Sequence, residues 1–206
     1  MIVVAISGKM EHGKDTFGSI LHHEFGFVEP VHFGGPLKSI TANLFDLTYE
    51  QCHDIVLKKT VDPRWGKTPG RLFQEVGDGA RGIHPDVWVH HLRKKLLSLK
   101  AIEKDPRSSS MRVAVCDVRR PNELALLRDE FNAVCVRVYR TRAWNDSAPF
   151  IPEGRDPKHE SETALDVPSN LGITPEGYYW PNFIYNDGTL QEYKDKVRTM
   201  ISGWCL

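Results

Sequence analysis

The run VVAISGKMEHGKDTF, Val3 to Phe17, holds Gly8, four further residues, then Gly13 and Lys14. Glycines at this spacing let backbone N–H groups turn inward around phosphate oxygens, and a lysine directly after the second glycine bridges the outer phosphates of a nucleoside triphosphate. Lys9 and His12 lie inside the same loop and join Gly8, Gly13 and Lys14 as candidate ATP contacts. Asp15 stands where such loops carry Ser or Thr, whose hydroxyl ligates Mg²⁺. A carboxylate serves a hard cation too, and Thr16 supplies a hydroxyl one residue later, so both remain candidate metal ligands beside the nucleotide. A carboxylate next to a triphosphate is repulsive without the metal. Nucleotide binding is therefore expected to depend on Mg²⁺ more steeply than with a hydroxyl at this position.

These groups work only if the chain holds them in place. Ile2 to Ile6 is a short apolar run rich in β-branched residues, suited to a strand buried on both faces of a parallel sheet. Lys14 to Phe25 then has helical spacing in Phe17, Ile20, Leu21 and Phe25, with Gly26 placed to cap its C-terminus. Strand, loop and helix thus put Lys14 at a helix N-terminus, where the dipole also favours anions. Phe27 to Phe33 predicts a second strand. Residues 36 to 109 change texture, with helical segments broken by Pro and Gly and a long helix striped by Trp88, Leu92, Leu96 and Leu99, which suggests a helical insertion.

MRVAVCD returns to strand character and ends on Asp117, at the sheet edge where ligands bind, so Asp117 suits Mg²⁺ through water. PNELALLRDEF predicts a helix opened by Pro121, AVCVRVY another buried strand, and FIYND a last one. Residues 141 to 181 are polar, proline-containing and without period, as expected of a lid. Thr189 and Glu192 form a capping box for a terminal helix striped by Leu190, Tyr193, Val197 and Ile201. Strands alternate with helices, so the class is α/β, read as one domain of 1–206.

Lys plus Arg and Asp plus Glu both number 27, so no broad footprint for duplex nucleic acid is expected. Cys52, Cys116, Cys135 and Cys205 form no C-x-x-C pair and read as reduced core residues of a cytoplasmic protein. The N-terminal apolar run is too short for a membrane span and has no basic flank of a signal peptide. The histidine pairs His22–His23 and His90–His91 lack metal-ligand spacing. A homodimer is left open.

GKDT, GGPLK (Gly34 to Lys38), TPGRLFQEVGDGARGIHPDVWV (Thr68 to Val89), DVRRPNE (Asp117 to Glu123), HESE (His159 to Glu162) and YNDGTL (Tyr185 to Leu190) follow one another in order. Together they resemble the bacteriophage deoxynucleoside monophosphate kinases. The resemblance implies a P-loop kinase fold, a parallel sheet flanked by helices with a monophosphate-binding insertion and a lid, which transfers the ATP γ-phosphoryl to a deoxynucleoside monophosphate with Mg²⁺ in a host cytoplasm. Lys38, Arg71 and Arg81 resemble that family's acceptor contacts. Asn186, Asp187 and Gly188 lie where related kinases hold adenine. Gln74, three residues after Arg71 on one helical face, reads as a base contact or a solvent-facing amide, and Trp88 as a base-stacking ring or a core residue.

An acceptor phosphate is already ionised near pH 7, so transfer needs cations more than a general base. Arg119 and Arg120 follow Asp117; one is expected to face the transferring phosphoryl while the other pairs with a carboxylate such as Glu123. Arg140, Arg142 and Arg155 are candidates for the lid cation, Arg140 first and Arg142 second. HESE has no clear physical role in the sequence beyond Glu162 orienting an arginine. Two other activities fit the same loop: an animal-type phosphomevalonate kinase, similar in GKD and in an acidic motif near HESE, and an ATPase module without an acceptor.

Overall fold

The computed structural model describes residues 1–102, 110–140, 159–166 and 180–204. It contains β1 (Ile2–Ser7), α1 (Lys14–Phe25), α2 (Gly35–Phe45), α3 (Tyr49–His53), α4 (Pro69–Ile83), α5 (Val87–Ile102), β2 (Arg112–Val118), α6 (Pro121–Ala125), β3 (Val134–Arg140), α7 (Glu160–Thr163), β4 (Asn182–Asn186) and α8 (Leu190–Ser202). The chain divides into two compact units, one of Met1–His32 with Lys95–Leu206 and one of Phe33–Lys94.

The first unit is a four-stranded sheet in the order β2-β1-β3-β4, with every neighbouring pair parallel. Alternation along the strands sends Val4, Ile6, Ala114, Cys116, Val136, Val138 and Ile184 to one face, where they pack with Phe17 and Leu21 of α1 and Tyr193, Val197 and Ile201 of α8. Val3, Ala5, Val113 and Val115 point the other way and are buried as well. This is the continuous apolar pattern of a parallel sheet covered on both sides. Gly18 lies in α1 against Cys116 and Pro30, with no room for a side chain, so helix and sheet meet closely there. The class is α/β, a parallel sheet flanked by helices.

Phe27 to Phe33 does not form a full strand. Val31 makes an isolated parallel bridge to Val115 on the outer side of β2, while Val28 N–H donates to the Arg112 carbonyl and Val31 N–H to that of Ala114. Pro30 supplies no N–H, so the ladder cannot run through it. Leu190, expected on the apolar stripe of α8, is 60% exposed, whereas Tyr193, Val197 and Ile201 are buried and the Thr189–Glu192 capping box is formed. Within 141–181, where no regular element is expected, residues 159–166 are ordered around α7, and His159 Nδ1 accepts the Ser161 N–H to cap it.

The second unit is helical. Leu47, Cys52, Leu72 and Phe73 form a small core, and Leu37 of α2 lies close against Gly77 of α4. Among the described residues Cys52, Cys116 and Cys135 are free thiols and buried. No described helix is long and apolar enough to cross a membrane.

Candidate functional site

The carboxyl ends of β1, β2, β3 and β4 meet at one edge of the sheet, and the loop after the central β1 runs there into α1. In an open parallel sheet this edge is where ligands bind. Gly8 (φ 152°) and Gly13 (φ 102°) both adopt backbone that side chains disfavour. A Cβ on Gly8 would lie 2.6 Å from the Val138 carbonyl, and one on Gly13 would lie 2.8 Å from Asn186 Nδ2. Gly8 is therefore required by the close approach of the β3 backbone, and Gly13 by its left-handed backbone with the Asn186 and Tyr193 side chains packed against it.

Neighbouring elements brace the loop from several directions. Asn186 Nδ2, at the end of β4, donates to the His12 carbonyl at 3.1 Å, and the Tyr193 hydroxyl of α8 donates to the Gly13 carbonyl at 3.0 Å. His12 Nδ1 lies 3.2 Å from the Arg140 backbone nitrogen and 3.3 Å from the Val138 carbonyl, and the Arg140 guanidinium donates to the Glu11 carbonyl at 3.0 Å. His12 is 2% exposed, so its side chain is a strut between loop and β3. Asp187 makes an ion pair with Lys196, and Gly188 sits in the turn before the α8 cap.

Lys14 is the first residue of α1 and is 5% exposed. Its Nζ donates to the Lys9 carbonyl at 2.6 Å. Burial pulls its pKa down to about 7; Arg119 pulls the same way, while Asp15, Glu162 and Asp117 oppose them in that order. The structure thus brings Asp15 of α1, Asp117 of β2 and Arg119 just after β2 within electrostatic reach of Lys14.

Asp15 is exposed on the first turn of α1, with Thr16 beside it and Asp117 half-buried. The β1–β2 register slips by one residue between Ala5 and Ser7, which pair with Val115 and Val118, so β2 carries an extra residue at Cys116–Asp117. A bulge re-aims the side chains beside it. Two carboxylates and a hydroxyl are hard oxygen donors that fit Mg²⁺. Among the described residues no group of three or more His, Cys, Asp or Glu is arranged to hold an ion alone.

Beyond Asp117, Glu123 accepts the backbone N–H groups of Arg119 (2.8 Å) and Arg120 (3.2 Å) as a cap on α6. The guanidinium partners come from around α7: Arg120 pairs with Glu160 at 2.7 Å, and Arg119 pairs with Glu162 and donates to the Ser161 carbonyl at 3.1 Å. Glu162 also accepts the Met10 N–H at 2.9 Å. Asp166 takes Lys9 Nζ at 2.7 Å and Arg137 Nη2 at 3.0 Å. HESE therefore has a physical role: it carries acceptors to the loop after β1 and to the arginines after β2.

Arg137, Asp166 and Tyr193 are site neighbours that the motifs do not mark. Arg137 is 3% exposed in the middle of β3 and donates to Ser7 Oγ at 2.6 Å, which in turn donates to the Val118 carbonyl at 2.7 Å, tying three strands beneath the loop. An arginine inside the apolar run AVCVRVY is a sequence signal for such a tie. Asp166 gives none.

In the second unit Lys38 lies on α2, and Arg71, Gln74 and Arg81 on α4. Gln74 is half-buried, and Gln74 and Arg81 lie a turn to either side of Gly77, the residue that Leu37 of α2 approaches. Arg71 lies farther round the helix, with its side chain 61% exposed and paired to Glu75 at 2.9 Å; Arg81 pairs with Asp78 at 3.1 Å. Trp88 is 6% exposed and its indole N–H points to the Gly77 carbonyl at 3.4 Å, which is the placement of a core residue. Arg142, Arg155 and most of the expected lid lie outside the described residues, as does Cys205.

No protein-family model matches the chain, and no curated protein matches it. Among solved structures it is similar to dephospho-CoA kinase from Campylobacter jejuni, at 13% identity over 97% of this chain and 95% of that one, with a TM-score of 0.45. A likeness that distant carries no argument about activity.

Proposed function

We propose that the chain is an ATP-dependent kinase that transfers the γ-phosphoryl group to the phosphate of a deoxynucleoside monophosphate, giving the diphosphate and ADP. The observation that carries this reading is Lys14. It is a buried ammonium at a helix N-terminus, behind a loop with two glycines in unusual backbone, with Arg119, Asp15 and Asp117 close enough to act on its charge. A buried cation with a depressed pKa at the edge of a parallel sheet is a costly arrangement, and the bound anion that best offsets the cost is a polyphosphate.

In this reading the loop N–H groups and Lys14 hold the β- and γ-phosphates, and Arg119 faces the transferring group. Asp15 or Thr16, with Asp117, would hold Mg²⁺, which supplies charge neutralisation between the phosphates when bound. Asn186 to Gly188 are assigned to the adenine side. Lys38, Arg71, Gln74 and Arg81 are assigned to the acceptor through the ordered motifs that resemble the phage kinases. No general base is needed.

A coupled assay with dTMP, dGMP, dCMP, dAMP and phosphomevalonate tests the acceptor. Turnover with one or more of the monophosphates is the expected result. Turnover with phosphomevalonate alone, or ATP hydrolysis indifferent to every acceptor, would replace it by one of the other two activities.

A further inference from the structure

Glu162 is the buried carboxylate of α7, its side chain 5% exposed, against 64% for Glu160 and 38% for Asp166. Exposed ion pairs contribute little, whereas a carboxylate taken out of water needs both oxygens satisfied. Glu162 meets that need with partners from two different elements. One oxygen accepts the backbone N–H of Met10, inside the phosphate loop, and the other pairs with the guanidinium of Arg119, after β2. The same arginine nitrogen also donates to the Ser161 carbonyl. A single planar group of fixed size therefore sets the separation between the loop backbone and Arg119. The arginine it holds acts on Lys14 strongly enough to rank next to burial among the influences on that lysine.

We propose that Glu162 is a positioning residue for phosphoryl transfer, which locks Arg119 to the phosphate loop through the Met10 N–H and so aims the guanidinium at the terminal phosphate of the nucleotide held by Lys14. The inference rests on the kinase reading. It concerns orientation rather than affinity for the nucleotide as a whole, because the loop N–H groups and Lys14 hold the inner phosphates without it. A guanidinium already held by a carboxylate and a carbonyl keeps further N–H groups for a phosphate oxygen, and it loses little freedom when that oxygen arrives.

Glu162→Gln preserves the size of the side chain but turns an N–H₂ toward one of two donors. The expected result is a kcat lower by roughly ten- to a hundredfold with the KM for the acceptor changed less than about threefold, because the guanidinium meets the terminal phosphate of the nucleotide and not the acceptor. Arg119→Ala should cost at least as much, and the double variant no more than Arg119→Ala alone, because Glu162 acts through Arg119. Losses that multiply in the double variant, or a Glu162→Gln enzyme with normal kcat, overturn the proposal. Should Glu162→Gln fail to fold by circular dichroism, Arg119→Lys takes its place. It keeps the charge but cannot span the same partners, and normal turnover by that variant is equally fatal.

Two further readouts separate this inference from the kinase reading. The Met10 amide resonance of the unliganded protein should move in Glu162→Gln, and an unmoved resonance overturns the brace whatever the activity. By calorimetry, wild type should prefer ATP to ADP, and Glu162→Gln should lose most of that preference. If no acceptor is phosphorylated, the transfer reading fails while this comparison still decides the role of Glu162: an unchanged ATP-to-ADP ratio counts against it, and a lost preference supports it.

Discussion

Lys14 and Arg71 are both cations in the first turn of a helix, yet Lys14 is 5% exposed while the Arg71 side chain is 61% exposed. Lys14 is surrounded by charges brought from distant parts of the chain, Arg119 and Glu162 among them. Arg71 is paired with Glu75 four residues along its own helix. The first arrangement needs the whole sheet unit to exist. The second needs one helix, and an exposed pair of this kind contributes little, so a bound anion would draw the arginine away at little cost. A cation prepared by burial acts on charge that grows during a reaction, whereas a cation held loosely at a surface serves binding.

The largest test of this contrast is at Lys14. Lys14→Ala is expected to lower transfer on the order of a thousandfold while the fold survives, and Lys14→Arg should fail too, since a guanidinium is bulkier and differently aimed. Stability should move the other way. A lysine with a folded pKa of about 7, below its unfolded value, binds fewer protons in the folded state between those limits. Its stability cost is complete below pH 7 and fades as pH rises toward the unfolded value. Lys14→Met should accordingly raise the melting temperature of the unliganded protein at pH 7 by roughly 2–4 °C. A destabilised, still active Lys14→Met protein would remove the distinction between the two cations.

In α2 and α4, assigned above to the proposed acceptor, the expected effect is smaller and graded. Arg81→Ala should raise KM for the monophosphate by about 2 kcal/mol, roughly thirtyfold, with ATP little affected. Arg71→Ala should cost less, because Arg71 is 61% exposed and sits on the solvent side of α4, away from Gly77. Steady-state kinetics with each substrate varied in turn would decide. An equal loss for ATP in either variant would mean that these arginines serve the fold or the donor instead.

Much of this contrast is legible in the sequence wherever the signal is local. The glycine spacing, the α1 stripe, the Gly26 cap and the Thr189–Glu192 box each involve residues a few positions apart, and the structure has them as the sequence predicts. Phe27 to Phe33 misleads because its apolar pattern is that of a strand, while Pro30 limits pairing to one bridge. The partners of the site cations are hidden for another reason: Glu162 lies 152 residues from Met10, and Asp166 lies 157 from Lys9. No periodicity links such positions. Arg137 is the exception, since a charge inside an apolar strand demands buried partners even when their identity is unknown.

Asp15 sharpens the donor side. Its carboxylate is exposed on the first turn of α1, where a triphosphate without metal would meet a like charge. Titrating ATP into wild type and Asp15→Ser at several Mg²⁺ concentrations should show affinity rising several-fold more steeply with Mg²⁺ in wild type. Parallel curves for the two proteins would mean that Asp15 takes no part in metal-dependent binding.

The smallest expected effect concerns the one carboxylate of the helical unit described as buried, and it tests whether that unit is held by local charge alone. Asp62 is 4% exposed, and it accepts from the Arg64 backbone N–H at 3.0 Å, from Arg64 Nη2 at 2.7 Å and from Gln51 Nε2 at 2.9 Å. Arg64 reaches on to the Asp46 carbonyl at 3.0 Å, so this carboxylate joins the 62–67 turn to α3 and, through Arg64, to the end of α2. The hydrogen bonds from Arg64 hold the Asp62 carboxyl well below its usual pKa, with the Gln51 amide acting the same way and desolvation against it. A depressed folded pKa means that the stabilisation is complete above the unfolded value, near 4, and declines as pH falls below it. Asp62→Asn should therefore melt a few degrees below wild type at pH 7, and the gap should narrow by pH 3. The Trp65 indole N–H, donated to the Phe45 carbonyl at 2.9 Å, gives a resonance that reports on this unit specifically. A gap that stays constant from pH 7 to pH 3 would show that packing, not the charge on Asp62, holds the turn, and the comparison with Lys14 would then rest on burial alone.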